Sequence, residues 1–342
     1  MKKFLSIMLT TILVFSMSTM AFAAEESDRG DYADKLNTPA NFNKVYEVVN
    51  SETKSPAETF TFEFRAVGVK EQEAGITLDD APSINDVTTS FEALIEDTTN
   101  EVEVALDADD FPGIGIYTYK VTEKVGDTAG VTYQETPIYL VVTILRDTDD
   151  DIKYVAAVHY SDELTGDKTG EVTNKYEASS LSITKNVTGN MGDKTKEFEV
   201  TVTFTAPTDK VVREKITYLV GTEEKSIDTT EWEDGQAIAK ISLKHGDTIT
   251  FKNIPYGVTY EVKEADYTSE GNGGYDEPVY DYKDNNMEID SADEDTVTIT
   301  NNKGTTVDTG ITLDNIPYMM MLAIAAAGLA LFTAKKRRYT ED

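Results

Sequence analysis

The chain has 342 residues, with 31 basic and 63 acidic side chains, a net charge of −32 and no cysteine. That charge repels nucleic acid and anionic membrane surfaces, and the missing thiols exclude disulfides as a source of stability. With two histidines and no phosphate-cradling glycine loop, neither a metal nor a cofactor is expected, and a Ser-His relay is disfavoured.

Residues 1–23 join Lys2 and Lys3 to an apolar stretch from Phe4 to Phe15 and then Ala21-Phe22-Ala23, the build of a secretory signal peptide. Residues 24–40 are polar and read as a flexible leader. A first unit, 41–176, is predicted to hold short strands at Phe42–Val48, Thr59–Phe64, Glu101–Leu106, Ile114–Glu123, Thr136–Leu145 and Tyr154–His159, with a further strand closing at Asn174. Turns such as Asp109-Asp110-Phe111-Pro112-Gly113 separate them. Asp147-Thr148-Asp149-Asp150-Asp151 lacks the glycine and terminal glutamate of a calcium loop and reads as a solvated acidic turn. The link Lys175–Ser180 is short, so two units should stack end to end with little freedom.

A second unit, 177–304, is predicted to have strands at Leu181–Val187, Phe198–Thr205, Lys215–Val220, Ala237–Leu243, Thr248–Phe251, Thr259–Lys263 and Thr296–Thr300. No long amphipathic helix is expected in either unit. The fold class is therefore all-β, two tandem antiparallel sandwiches. Residues 305–342 contain Thr306-Val307-Asp308-Thr309-Gly310, an apolar stretch over 318–334 long enough to span a membrane, and a basic tail at 335–338. Between 24 and 309 the net charge is near −35 once the terminal segments are set aside.

One pattern occurs twice. Tyr119-Lys120-Val121-Thr122-Glu123 returns as Tyr260-Glu261-Val262-Lys263-Glu264, and each glutamate has a lysine 79 residues before it, Lys44 and Lys185. Downstream, Asn174 and Asn301 each end a strand-like run. Residues two apart in a strand share a face. Lys44 is in phase with Phe42 and Tyr46, Lys185 with Ile183 and Val187, Glu123 with Tyr119 and Val121, and Glu264 with Tyr260 and Val262. Asn174 follows Val172 in phase, and Asn301 follows Val297 and Ile299. All six polar residues are therefore predicted to point into the core, where an unpartnered charge costs several kcal/mol. Amine, carboxylic acid and carboxamide are the parts of an intramolecular isopeptide bond. Burial should lower the lysine pKa and raise that of the acid, which could then hydrogen-bond the asparagine carbonyl and shuttle protons as ammonia leaves.

Across residues 40–310 the sequence resembles the two-domain shaft pilins of Gram-positive bacteria, with their streptococcal pilin isopeptide-linkage domains. The resemblance rests on Thr59-Phe60-Thr61-Phe62, on Phe111-Pro112-Gly113 running into Tyr119–Glu123, and on Gly130-Val131-Thr132-Tyr133. In the second unit it rests on Ser182–Gly189, Gly192-Asp193-Lys194, Tyr256-Gly257-Val258 and Thr300-Asn301-Asn302-Lys303. It implies Ig-like (CnaB-type) domains with cross-links Lys44–Asn174 and Lys185–Asn301, and Glu123 and Glu264 as their catalysts. Because Asn302 follows Asn301, the choice of Asn301 rests on parity. Such a chain is not an enzyme in the turnover sense.

The resemblance also makes Val307-Asp308-Thr309-Gly310 a sortase signal, with Asp308 where proline is common. A pilus-assembling sortase would cleave between Thr309 and Gly310 and pass Thr309 to a lysine of an identical subunit, for which Lys168 in Thr165–Gly170 is the positional match. Implied partners are the sortase, identical subunits in a head-to-tail polymer, minor pilins and peptidoglycan, with a host surface as a further candidate and no nucleic acid. The implied location is the cell wall and surface pilus of a Gram-positive bacterium. The alternative is a monomeric wall-anchored adhesin, or a tip or base pilin.

Overall fold

A computed structural model describes residues 36–146, 151–160, 171–283, 286–305, 318 and 320–327. The first unit runs β1 (Ala40–Val48), β2 (Glu58–Lys70), β3 (Val87–Phe91), β4 (Thr98–Val104), β5 (Gly115–Glu123), β6 (Val131–Thr132), β7 (Ile138–Arg146), β8 (Ile152–His159) and β9 (Glu171–Tyr176). Its strands form two sheets, ordered β4-β1-β9-β6 and β3-β2-β5-β7-β8. Alternation sets their inner faces: Phe42 and Tyr46 of one sheet meet Phe62 and Phe60 of the other edge to face, at centroid distances of 4.8 and 5.3 Å. Central β5 is buried along most of its length, with only Lys120 and Thr122 half-buried.

The second unit runs β10 (Ala178–Thr188), β11 (Phe198–Thr205), β12 (Ile216–Val220), β13 (Glu223–Ile227), β14 (Gln236–Leu243), β15 (Thr248–Pro255), β16 (Thr259–Glu264), β17 (Val279–Tyr282) and β18 (Asp295–Asn302). A six-stranded sheet, β13-β12-β15-β10-β18-β17, faces a three-stranded one, β14-β11-β16. Phe204 on β11 meets Phe251 on β15 across the core at 5.3 Å. Strand β14 shows strict alternation, with Ala237, Ala239, Ile241 and Leu243 buried and the residues between them exposed.

The architecture is the expected pair of tandem Ig-like sandwiches, with corrections of detail. Pairing is not wholly antiparallel: in each unit the first and last strands run parallel, β1 with β9 and β10 with β18. Strands β3, β6, β13 and β17 escaped the sequence pattern. Two are short (β6, β17), and β13 carries Glu223-Glu224-Lys225 on an exposed edge, so none shows a sustained apolar alternation. The leader expected over 24–40 gives way to fixed structure at its end. Asn37 N–H donates to Tyr154 O and Asn37 Oδ1 accepts from Tyr154 N–H, at 2.9 and 3.0 Å, and Ala40 already belongs to β1.

The link is also shorter than the sequence suggested, because Glu177 alone separates β9 from β10. Its N–H donates to Gly130 O at 2.9 Å and its carbonyl accepts from Tyr256 N–H at 3.0 Å. Gly130 sits at φ 76°, and a Cβ there would lie 2.7 Å from Glu177 O, so the contact requires glycine. Asn253 of β15 at φ 63° clasps the Lys54 backbone, accepting from its N–H at 2.8 Å and donating to its carbonyl at 3.0 Å. Val211 N–H also donates to Asp127 O and Ala129 N–H to Val211 O, at 2.7 and 2.9 Å. Ala129 packs into the second core and Ala178 into the first.

Asn253→Ala removes both halves of the Lys54 clasp and places alanine in the left-handed region. The orphaned backbone groups should cost about 1–3 kcal/mol. The expected reading is a roughly 5- to 150-fold loss of hydrogen-exchange protection at the Lys54 amide. Unchanged protection would show that the clasp contributes nothing.

Candidate functional site

Strand register brings the lysine and asparagine of each unit together. Tyr46 pairs with Asn174, so Lys44, two residues earlier on β1, lies on the same face of the sheet. In the second unit Val187 pairs with Asn301, and Lys185 holds the same offset. Each glutamate comes from the facing sheet as the last residue of its strand. Glu123 ends β5 opposite Phe62, and Glu264 ends β16 opposite Val200. Both lysines and both asparagines are 0% exposed, and both glutamates are buried.

In the first unit Lys44 Nζ donates to Glu123 Oε2 at 2.8 Å. Asn174 Nδ2 donates to the other carboxylate oxygen, Oε1. One carboxylate therefore bridges amine and carboxamide. Asn174 Oδ1 accepts from the Gln134 backbone N–H at 2.9 Å. A backbone N–H can only donate, which fixes the amide with its oxygen on Gln134 and its nitrogen on Glu123. The acid thus meets the asparagine nitrogen rather than the carbonyl oxygen that the sequence suggested.

The amine lies over the Phe60 ring, 4.5 Å from its centroid, with Phe62 at 6.0 Å. Burial pulls the Lys44 ammonium from its ordinary 10.5 down to about 8, while the charge and hydrogen bond of Glu123 pull the other way. Burial likewise pushes the Glu123 carboxyl up, against the opposing pull of Lys44 and Asn174. In a low-dielectric site both charged forms are disfavoured, so a neutral amine facing a neutral acid comes within reach.

The second unit uses the same parts in a different arrangement. Lys185 Nζ donates to Asn301 Oδ1 and lies 2.7 Å from Glu264 Oε1, an ion pair rather than an aligned hydrogen bond. Asn301 Nδ2 has no hydrogen-bond partner among the described residues. Lys185 sits 4.3 Å over the Phe198 ring, and burial lowers its pKa against the pull of Glu264. Tyr280 Oη accepts from the Glu264 N–H at 2.8 Å, fixing the end of β16. Asn302 points outward, accepting from Thr188 Oγ1 at 3.1 Å and donating to Asp276 at 2.6 Å, so Asn301 alone faces the lysine.

Lys168, Val307, Asp308, Thr309 and Gly310 lie outside the described residues, as do the signal peptide expected over 1–23 and the basic tail 335–338. Of the expected span 318–334, Tyr318 and residues 320–327 are described and helical. Among the described residues no helix is long and apolar enough to cross a membrane. Gln134 and Tyr280 were not found from sequence, since neither sits in a periodic apolar run. Phe60, Phe62 and Phe198 could have been, because the alternation of Thr59–Phe62 and Phe198–Thr205 turns them inward.

Residues 40–177 match the family of Spy0128-like isopeptide containing domains, and residues 179–303 match a domain family of unknown function. A pilin of Streptococcus pyogenes serotype M1 is 30% identical over 320 residues, covering 86% of this chain and 89% of the relative. The crystal structure of the major pilin from Streptococcus pyogenes is similar in fold, with a TM-score of 0.52 at 23% identity over 79% of this chain and 99% of that one. A major pilin of another serotype of the same organism gives 0.50 at 21% identity, over 79% and 99%. With a relative this similar along most of both chains and the same fold, the chain belongs to the pilin family, as a structural subunit of a Gram-positive cell-surface pilus.

Proposed function

We propose that the subunit welds each of its own domains shut, Lys44 to Asn174 and Lys185 to Asn301, and is itself joined to its neighbours by a sortase acting at Thr309. The observation carrying the first half is the Glu123 carboxylate, in contact with both the attacking amine and the departing amide nitrogen in a closed core. Glu123 takes the proton from Lys44 Nζ as it attacks Cγ of Asn174, and delivers a proton to Nδ2, which leaves as ammonia. We assign the same roles to Lys185, Glu264 and Asn301 in the second unit, where Glu264 meets the amine but not the amide nitrogen. Close packing supplies the effective concentration that a poor electrophile needs, and the reaction runs once per folded molecule.

The bonds close nearly whole units into loops. By analogy with a disulfide, a loop of about 100 residues contributes on the order of 4.7 kcal/mol through the unfolded state. The mechanical effect matters more. Tension applied between Lys168 and Thr309 would run along β9, through Glu177 into β10, and cross to β18 through the Lys185–Asn301 bond. The ladder between β10 and β18 would then carry no shear.

Folded protein is expected to weigh less than its sequence by two ammonia molecules, with peptide maps placing one linkage in each unit. Glu123→Ala and Glu264→Ala should each abolish the bond of their own unit and leave the other. A full sequence mass in well-folded protein, or both losses persisting in the double variant, would overturn the assignment.

Bond formation at Lys44 should speed up as the pH rises to about 8 and then level off. Below that value the amine is held as an ammonium without a lone pair; above it the free amine brings its own Nζ proton, which Glu123 carries to the departing nitrogen. A rate still climbing towards the ordinary lysine value of 10.5 would contradict this.

For assembly, Lys168→Ala should leave both internal bonds and wall attachment intact but remove the high-molecular-weight ladder from immunoblots of wall extracts. Thr309→Ala should remove ladder and wall attachment together. A ladder persisting in the Lys168 variant would place the acceptor elsewhere, and a single band from the unaltered chain would mean an anchored monomer.

A further inference from the structure

The Gln134 N–H on Asn174 Oδ1 has no part in the proton transfers described above. When an amine attacks a carboxamide, the π pair of the C=O bond moves onto that oxygen. A donor already 2.9 Å away stabilises the charge as it develops, without having to reorganise. The donor is held in place from both sides. Gln134 Oε1 accepts from the Thr173 N–H at 3.0 Å and Gln134 Nε2 donates to Thr136 O at 3.2 Å. Strand β6 pairs with β9 only at Val131–Tyr176 and Thr132–Lys175. Past its end the Gln134 side chain supplies the next rung, tying the loop to the residue before Asn174.

We propose that the Gln134 backbone N–H is the oxyanion donor of the first cross-linking reaction, and that the Gln134 carboxamide aims it. This rests on the cross-linking function proposed for Lys44, Glu123 and Asn174. The Lys44 Nζ lone pair forms the new bond to Asn174 Cγ, and the displaced π pair resides on Oδ1 under the Gln134 N–H. Glu123 carries the Nζ proton to Nδ2. The carbonyl then re-forms, the Cγ–Nδ2 bond breaks, and ammonia departs, with no oxidant or further reactant needed. The second unit lacks this feature: among the described residues Asn301 Oδ1 is met by Lys185 Nζ alone. The donor belongs to the first site.

The test replaces the amide N–H with an ester oxygen, by cell-free translation of the full chain with the α-hydroxy counterpart of glutamine at position 134. Ammonia loss is followed by intact mass and assigned to each unit by peptide mapping, and the second unit serves as the internal clock. The ester chain should form the Lys44–Asn174 bond roughly 10²–10³-fold more slowly, with Lys185–Asn301 forming at the unaltered rate. Gln134→Ala should slow the first site by roughly tenfold, and Gln134→Glu, which keeps the acceptor for Thr173, should recover most of that loss. An unaltered first-site rate in the ester chain overturns the proposal. So does a slow first site accompanied by lost amide-exchange protection along β9, relative to the uncross-linked Glu123→Ala chain, since that assigns the effect to folding. If the unaltered chain loses no ammonia at either site, the cross-linking function falls first and this proposal with it.

Discussion

Two lysine amines removed from water, each against a carboxylate, govern the rest of this structure. Transferring an ammonium and a carboxylate into a core costs several kcal/mol apiece, and their mutual attraction repays this only in part. As a permanent ion pair, Lys44–Glu123 would be a poor stabiliser compared with two well-packed apolar side chains. As a reactant pair, the same desolvation is useful, because it moves the lysine towards the free amine and the glutamate towards the acid. The faces of Phe60 and Phe198 favour the cation, while burial lowers the pKa of both lysines against the pull of their glutamates.

That chemistry dictates the topology around it. A residue on the first strand of a unit can meet one on the last only if the two strands are neighbours, and in both units they pair in parallel. A parallel seam between sequence-distant strands is entropically expensive and gains no hairpin turn to fix its register. The proposed bond sits on the seam that is hardest to hold together. In both units the lysine precedes the residue opposite the asparagine by two, so the pleat turns both side chains to one face.

The sites differ where the surrounding loops differ. In the first, the carboxylate lies between amine and carboxamide, and a backbone donor holds the amide oxygen. In the second, the amine touches the amide oxygen and the amide nitrogen is unpartnered among the described residues. The junction between the units follows another rule, in which the single residue Glu177 is bonded to both sides and each core receives one alanine from the other unit. A load passed from β9 to β10 therefore meets no slack segment.

Alternation of apolar and polar residues, a local property, was enough to determine the all-β class, most strands and the inward direction of Lys44, Glu123, Asn174, Lys185, Glu264 and Asn301. It was also enough to choose Asn301 over Asn302, because parity in a strand admits one answer, and the structure turns Asn302 to the surface. The duplicated spacing marked which buried polar residues belong together. Strands whose pairing comes from neighbours rather than their own pattern, such as β6 and β13, were not legible. Neither were the parallel seams, the one-residue link, or the end of the leader pinned by Asn37 to Tyr154. The orientation of the Asn174 amide was decided only in three dimensions, because it depends on Gln134, forty residues away and outside any periodic run. Sequence periodicity records which way a side chain points; what it meets there depends on loops whose hydrogen bonds leave no repeating trace in the sequence.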